Sequence, residues 1–160
     1  MKKSIHINFE VVHSHELTDN IKALIVASEM AVITSHAPYS KFHVGAALLL
    51  DNGKIVKGSN QENASFPIGF CAERTALSGK IAVAPNAKVE AIAISVLSES
   101  GKILPPIPPC GMCRQALLEE ETKQDQPIKV YLSGNDQQVI IIDTIKDLLP
   151  FQFNGSIFNE

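Results

Sequence analysis

The sequence predicts an α/β fold in three layers, with one five-stranded mixed sheet covered by helices on both faces. Two observations carry that expectation. Short apolar runs of strand length alternate with longer segments of helical periodicity, in the order α-β-β-α-β-α-β-β-α. Two pairs of runs close around turn residues, Asp51-Asn52-Gly53 and Gly134-Asn135, so hairpin pairing is mixed with helix-linked strands. The chain of 160 residues shows no repeat, low-complexity tract or long linker, and is expected to form a single domain over 1–160. A chain of that length buries about two-thirds of its unfolded surface and needs no staples.

The elements follow in order. Ile21, Leu24, Ile25, Ser28, Ala31 and Val32 recur at helical spacing, which predicts a helix over roughly 16–36, ended by Ala37-Pro38. Residues 44–50 form a buried-strand run, and 54–59 return as its hairpin partner. A second helix is expected from near Cys71 to about Val83, stopped by Pro85, followed by a buried strand over 91–97. Residues 104–109 carry four prolines and predict a stiff, extended loop. A third helix over about 111–121 leads to strands at 128–133 and 139–143. A short helix over 144–149 precedes Pro150.

Composition narrows the function. Hydrophobic residues make up 45% of the chain and charged residues 19%, a globular balance. Fourteen basic residues against seventeen acidic ones give a net charge of −3, and no basic run exceeds Lys2-Lys3. A nucleic-acid partner is therefore not expected, because binding a phosphate backbone needs a basic footprint. The N-terminus has no apolar stretch of export type, and the run at 44–50 is far too short to span a bilayer. A cytoplasmic protein without membrane attachment is expected. Three cysteines, an odd number, suit a reducing compartment and a metal or catalytic use better than a disulfide framework.

Cys110-Gly111-Met112-Cys113 places two thiols at i and i+3 in the first turn of a helix, on one side of it. The free N–H groups and positive dipole end there favour thiolates. Alone, the pair fits half a zinc site or a redox couple equally well. Cys71, expected at the start of the other helix, adds a third thiolate with the same dipole support. Three protein ligands leave one tetrahedral position open, the mark of a catalytic zinc; a structural site closes with four. Glu73, two residues after Cys71, can reach the open side of the metal and take the proton of an activated water. Its bland alternative is an exposed glutamate favouring a helix N-terminus. Arg74 can draw off some negative charge from the sulfurs, or lie on the surface. The histidines His6, His13, His15, His36 and His43 read as surface or packing residues. His43, inside Phe42-His43-Val44-Gly45, is the least settled of them.

Cys71-Ala72-Glu73, a spacer, and Pro109-Cys110-Gly111-Met112-Cys113 together make the signature of zinc deaminases. The chain resembles the cytidine deaminases over most of its length, in the three-cysteine form. Further matching stretches are 39–47 (YSKFHVGAA), 60–64 (NQENA), 71–76 (CAERTA), 109–115 (PCGMCRQ) and 147–150 (DLLP), in the order the family has them. The resemblance implies a three-layer α/β/α fold and hydrolytic deamination of cytidine and 2′-deoxycytidine with one Zn²⁺ per chain. It implies zinc ligation by Cys71, Cys110 and Cys113, and proton transfer by Glu73. It gives Asn60 and Glu62 the ribose hydroxyls, Phe42 a stacking role on the pyrimidine, and the Ala72 N–H a contact to the base. Arg74 and Gln115 stand behind the ligands. Small cytidine deaminases of this kind are homotetramers with shared active sites, which implies that Phe153, and less so Phe151, reaches a neighbour's pocket, with Ala64 and Phe66 at a subunit boundary.

Three positions depart from the family pattern: Pro108 where serine is common, Phe66 where tyrosine is usual, and a longer, proline-richer 98–108 loop. They bear on fine substrate preference. Competing readings are a deaminase of the same fold acting on blasticidin, a guanine-type base or an RNA base, a non-catalytic zinc module, and a thiol oxidoreductase using Cys110 and Cys113.

Overall fold

Six strands lie in one mixed sheet, ordered β1-β6-β5-β4-β2-β3. The computed structural model describes residues 1–98, 104–134 and 136–158. The expected turn residue Asn135 and loop positions 99–103 lie outside them. The strands are β1 (Glu10–His13), β2 (Phe42–Leu50), β3 (Ile55–Ser59), β4 (Val89–Ser98), β5 (Lys129–Ser133) and β6 (Gln138–Ile142). The helices are α1 (Asp19–Val32), α2 (Ala72–Val83) and α3 (Gly111–Gln124). Only β4 and β5 pair in parallel; the other four pairings are antiparallel. The expectation of five strands is corrected to six. The extra strand, β1, is a four-residue edge segment with three exposed residues, so it shows no alternating pattern to read.

The two faces of the sheet sort by the strand period of two. Ala46, Leu48 and Leu50 of β2, with Ile92 and Ile94 of β4, join a core that includes Ala72, Ala76, Leu117 and Leu118 from α2 and α3. Ala47, Ala91 and Ala93 point the other way, to Leu24 and Ile25 of α1. Three layers result. Leu117 and Leu118 are at most 1% exposed, and each contributes about 1.5–3 kcal/mol by burial.

Glycine decides how closely helix and strand approach. A Cβ on Gly58 of β3 would stand 2.3 Å from the Ala76 backbone N and 2.4 Å from Ala72 O. No side chain fits there, and α2 therefore lies directly on the strand. The N-terminus of α2 is fixed against the sheet as a result.

Helix α1 ends at Val32, four residues short of the expected boundary. The His36 backbone is claimed by a distant loop: its N–H donates to Asn60 O at 3.0 Å and its carbonyl accepts from Glu62 N at 2.8 Å. Those bonds cannot coexist with continued helix, and they tie the 33–41 segment to 60–62. The segment expected as a short helix over 144–149 is a 3-10 turn, Ile145–Leu148, N-capped by Thr144. Among the described residues, no helix is long and apolar enough to cross a membrane.

Candidate active site

Cys71 and Cys110 are the N-cap residues of α2 and α3, and Cys113 lies in the first turn of α3. The two helix starts converge on one point. Cys71 Sγ is 3.8 Å from Cys110 Sγ, which is 3.5 Å from Cys113 Sγ, and all three sulfurs lie within 4.8 Å of one another. Tetrahedral zinc with Zn–S bonds of about 2.3 Å needs sulfurs about 3.8 Å apart. The donor set fits that ion. Cys113 is buried, Cys71 half-buried and Cys110 exposed, so the cluster opens to one side.

The electrostatics agree with a site for a thiophilic cation. Thiols this close titrate together. The hydrogen bond from Cys113, with Arg74 and Cys110 adding to it, holds the Cys71 thiol down to about 5. The same sulfur contact pushes Cys113 up. The Arg74 Nη2 donates to Gly69 O at 3.1 Å, and its guanidinium lies 5.0 Å from the Phe70 ring centroid. Its Nε is buried, and no hydrogen-bond acceptor among the described residues pairs with it. A buried, unpaired donor beside sulfurs is accounted for when those sulfurs carry negative charge.

Glu73 is 4% exposed, buried beside the cluster. Burial, with the Cys71 charge adding to it, pushes its carboxyl above the usual carboxylate range. Ala72 is the first residue of α2, where a backbone N–H has no partner within the helix.

Above the sulfurs lies a cleft of about 920 Å³. It brings together Phe42, Asn60, Glu62, Ala72, Glu73 and Arg74 with Cys71 and Cys110. Cys113 lies beneath its floor. Asn60 is held on three sides: Oδ1 accepts from Val44 N at 2.8 Å and Ser35 Oγ at 2.5 Å, and Nδ2 donates to Phe42 O at 2.9 Å. Glu62 Oε2 accepts from Tyr39 N at 2.9 Å and Ser40 N at 3.2 Å. The Ser40 hydroxyl and these N–H groups hold its carboxyl below the usual range. Pro108 lines the cleft, and Phe66 on the rim meets Tyr39 edge-on at 5.4 Å.

Two further expected residues meet at the C-terminal segment. The Gln115 Nε2 donates to Phe153 O at 2.9 Å, anchoring the C-terminal segment to α3. Phe153, 61% exposed, packs edge-on against Phe158 and does not line the cleft of its own chain. Other contributors had no role assigned from the sequence. Arg114, inside the PCGMCRQ stretch, braces the approach to Cys110: its Nε donates to Pro109 O at 2.8 Å and its Nη1 to Leu148 O at 3.0 Å. Phe70, Ile107 and Met112 complete the wall.

Three cysteines that would hold a zinc ion and leave one of its positions open, next to the buried carboxyl of Glu73, fit a hydrolase with a single zinc ion. The chain's relatives specify which kind. Residues 19–125 match the family model of the cytidine and deoxycytidylate deaminase zinc-binding region. A cytidine deaminase of Halalkalibacterium halodurans is 40% identical over 140 residues, 88% of this chain and 96% of the relative. The crystal structure of a cytidine deaminase from Burkholderia pseudomallei matches at a TM-score of 0.72 and 37% identity, covering 86% of this chain and 100% of that one. One from Mycobacterium tuberculosis matches at 0.66 and 30%, covering 86% and 98%. The chain belongs to the zinc-dependent cytidine and deoxycytidylate deaminase family.

Proposed function

We propose that the protein hydrolyses cytidine and 2′-deoxycytidine to uridine and 2′-deoxyuridine, releasing ammonia, as an enzyme of pyrimidine salvage in the cytoplasm. The observation that carries this reading is the cleft itself: one cavity joins the sulfur cluster and Glu73 at its floor to Phe42, Asn60 and Glu62 on its wall. When bound to Cys71, Cys110 and Cys113, zinc supplies Lewis acidity that brings the pKa of water down to about 7.

The chain's own residues do the rest. The Phe42 ring packs on the pyrimidine, and the Ala72 N–H donates to the base. Glu73 takes the proton of the water whose oxygen adds to C4. It gives that proton to the ring nitrogen N3, then takes the second from the C4 hydroxyl so formed and passes it to the exocyclic amine. The C4–N bond then breaks, ammonia leaves, and C4 keeps the oxygen as a carbonyl. Asn60 has one amide hydrogen left and can only donate, whereas the Glu62 carboxylate can only accept. A sugar hydroxyl that accepts from one and donates to the other satisfies both, which favours a nucleoside over a free base. Arg74 offsets part of the charge of three thiolates on a divalent ion.

We also assign the working form to a homotetramer in which Phe153 of one subunit, or its neighbour Phe151, covers the cleft of another. The cleft rim supports this: Phe66, Phe70 and Met112 are 71%, 49% and 63% exposed, apolar surface that a single chain leaves open. Pure protein incubated with cytidine, deoxycytidine, cytosine and blasticidin tests the substrate. Ammonia release from the two nucleosides alone is expected. A chelator strong enough to strip zinc should abolish turnover and lower the melting temperature together. Release from cytosine or blasticidin at nucleoside rates would overturn the substrate assignment.

A further inference from the structure

The back of Asn60 is held by a chain of two side chains, Ser35 and His43, of which Ser35 lies outside the stretches that match the family. Ser35 Oγ donates to Asn60 Oδ1 at 2.5 Å, and His43 Nδ1 lies 3.0 Å from the same Oγ. The amide orientation is fixed by the backbone, because a backbone N–H faces Oδ1 and a backbone carbonyl faces Nδ2. Oδ1 therefore accepts, and the Ser35 hydroxyl must give its one proton to it. His43 Nδ1 can then only donate to Ser35. All three side chains are half-buried. The chain runs through the wall between two cavities. Asn60 lines the cleft, while Ser35 and His43 line a second cavity of about 470 Å³ with Ser95 and Ser133. Strand alternation puts them there: Phe42 and Val44 face the cleft, and His43 between them faces away.

We infer that Ser35 and His43 are positioning residues for nucleoside binding, a relay that aims the remaining amide N–H of Asn60 into the cleft and polarises it. The inference rests on the reading that Asn60 holds a sugar hydroxyl. Its physical basis is twofold. A third bond to the amide restricts its rotation out of the productive orientation. Each donor in a hydrogen-bonded series also strengthens the next, so electron withdrawal at Oδ1 makes Nδ2–H a better donor. Neither effect touches Glu73 or the sulfurs, so binding changes and chemistry does not.

The test compares cytidine with 2′,3′-dideoxycytidine, which keeps the base and lacks the sugar hydroxyls at 2′ and 3′. Ser35→Ala should raise KM for cytidine about 3- to 10-fold, the worth of one hydrogen bond. kcat and both constants for the dideoxynucleoside should hold at wild-type values. His43→Asn, which keeps a donor near the place of Nδ1, should retain the wild-type KM, whereas His43→Leu should match Ser35→Ala. An unchanged KM in Ser35→Ala, or equal losses on both substrates, would overturn the relay. Asn60→Ala in the same assay separates the two claims. If it shows no loss specific to cytidine, the sugar role of Asn60 fails and the relay with it. If it shows that loss and Ser35→Ala does not, the relay alone fails. Should Asn60→Ala not fold, the His43 pair still decides: equal KM for His43→Asn and His43→Leu overturns the relay.

Discussion

The floor of the cleft and its rim are built on different principles. The floor consists of two helix N-termini, with Cys113 buried and Glu73 4% exposed, and that of α2 is set against the sheet by the missing side chain at Gly58. Every group there is fixed by regular structure of one chain. The wall and rim are made of loop residues and exposed aromatics: Asn60 and Glu62 between β3 and α2, with Phe66 and Phe70. Their polar groups are held by hydrogen bonds from loop side chains to the backbone of β2 and of the 39–40 turn. The difference separates chemistry from recognition: reactive groups need fixed geometry, and groups that meet a substrate or a neighbour need surface.

The sharpest way to break that division is at Glu73. Glu73→Gln keeps the side-chain shape and removes the proton acceptor. Turnover of cytidine should fall by at least about 10²–10⁴-fold, the range for a general acid–base group. Zinc content and nucleoside binding should remain, by elemental analysis and by calorimetric titration. A variant that still turned over within tenfold of wild type would move proton transfer to another group and detach the floor from the chemistry.

A smaller effect is expected on the wall. Glu62→Ala leaves a sugar hydroxyl and two backbone N–H groups, Tyr39 and Ser40, without their acceptor. KM for cytidine should rise roughly 5- to 150-fold, equivalent to about 1–3 kcal/mol for unmet polar groups. Any residual reaction with free cytosine should not change. Equal losses on both substrates would show that Glu62 supports the 39–40 turn and not the sugar.

The floor is legible in residue types and spacing, whereas Asn60, Glu62 and Phe66 of the rim are legible only through the family resemblance, for a physical reason. Zinc chemistry demands cysteines at fixed offsets from helix starts, so Cys71, Cys110 and Cys113 announce themselves by type and spacing. The helices and the two-fold alternation of β2 and β4 follow from apolar periodicity. Loop contacts obey no such period. Nothing in the spacing of Ser35, His43 and Asn60 shows that they meet, because the contact depends on α1 ending at Val32 and on His36 pairing with the 60–62 loop. Gln115 shows the converse. It stands in a specific motif two residues after Cys113, yet its amide bonds the C-terminal segment, a contact that the motif does not announce. Strand β1 escaped because an edge strand this short buries too little to be patterned.

The last test addresses whether the rim is completed by another chain. Truncation after Pro150 removes Phe151, 93% exposed, and Phe153, 61% exposed, together with the hydrogen bond from Gln115 to Phe153 O. Within one chain that loses little, on the order of 1 kcal/mol for the bond. Zinc content should therefore stay near one per chain, and the cluster keeps its two helices. If a neighbour's aromatic covers the cleft, the truncated protein admits water and loses orientation of the base, so kcat/KM for cytidine should fall several-fold to tenfold. Intact protein should scatter light as four chains and lose activity on dilution below its assembly constant, since a shared site ties function to concentration. Single replacements divide the aromatic roles. Phe153→Ala should reproduce most of the truncation, and Phe151→Ala little of it. A truncated protein with wild-type activity, or an intact chain fully active as a monomer at nanomolar concentration, would confine the site to one chain, leaving the zinc floor and its chemistry as described.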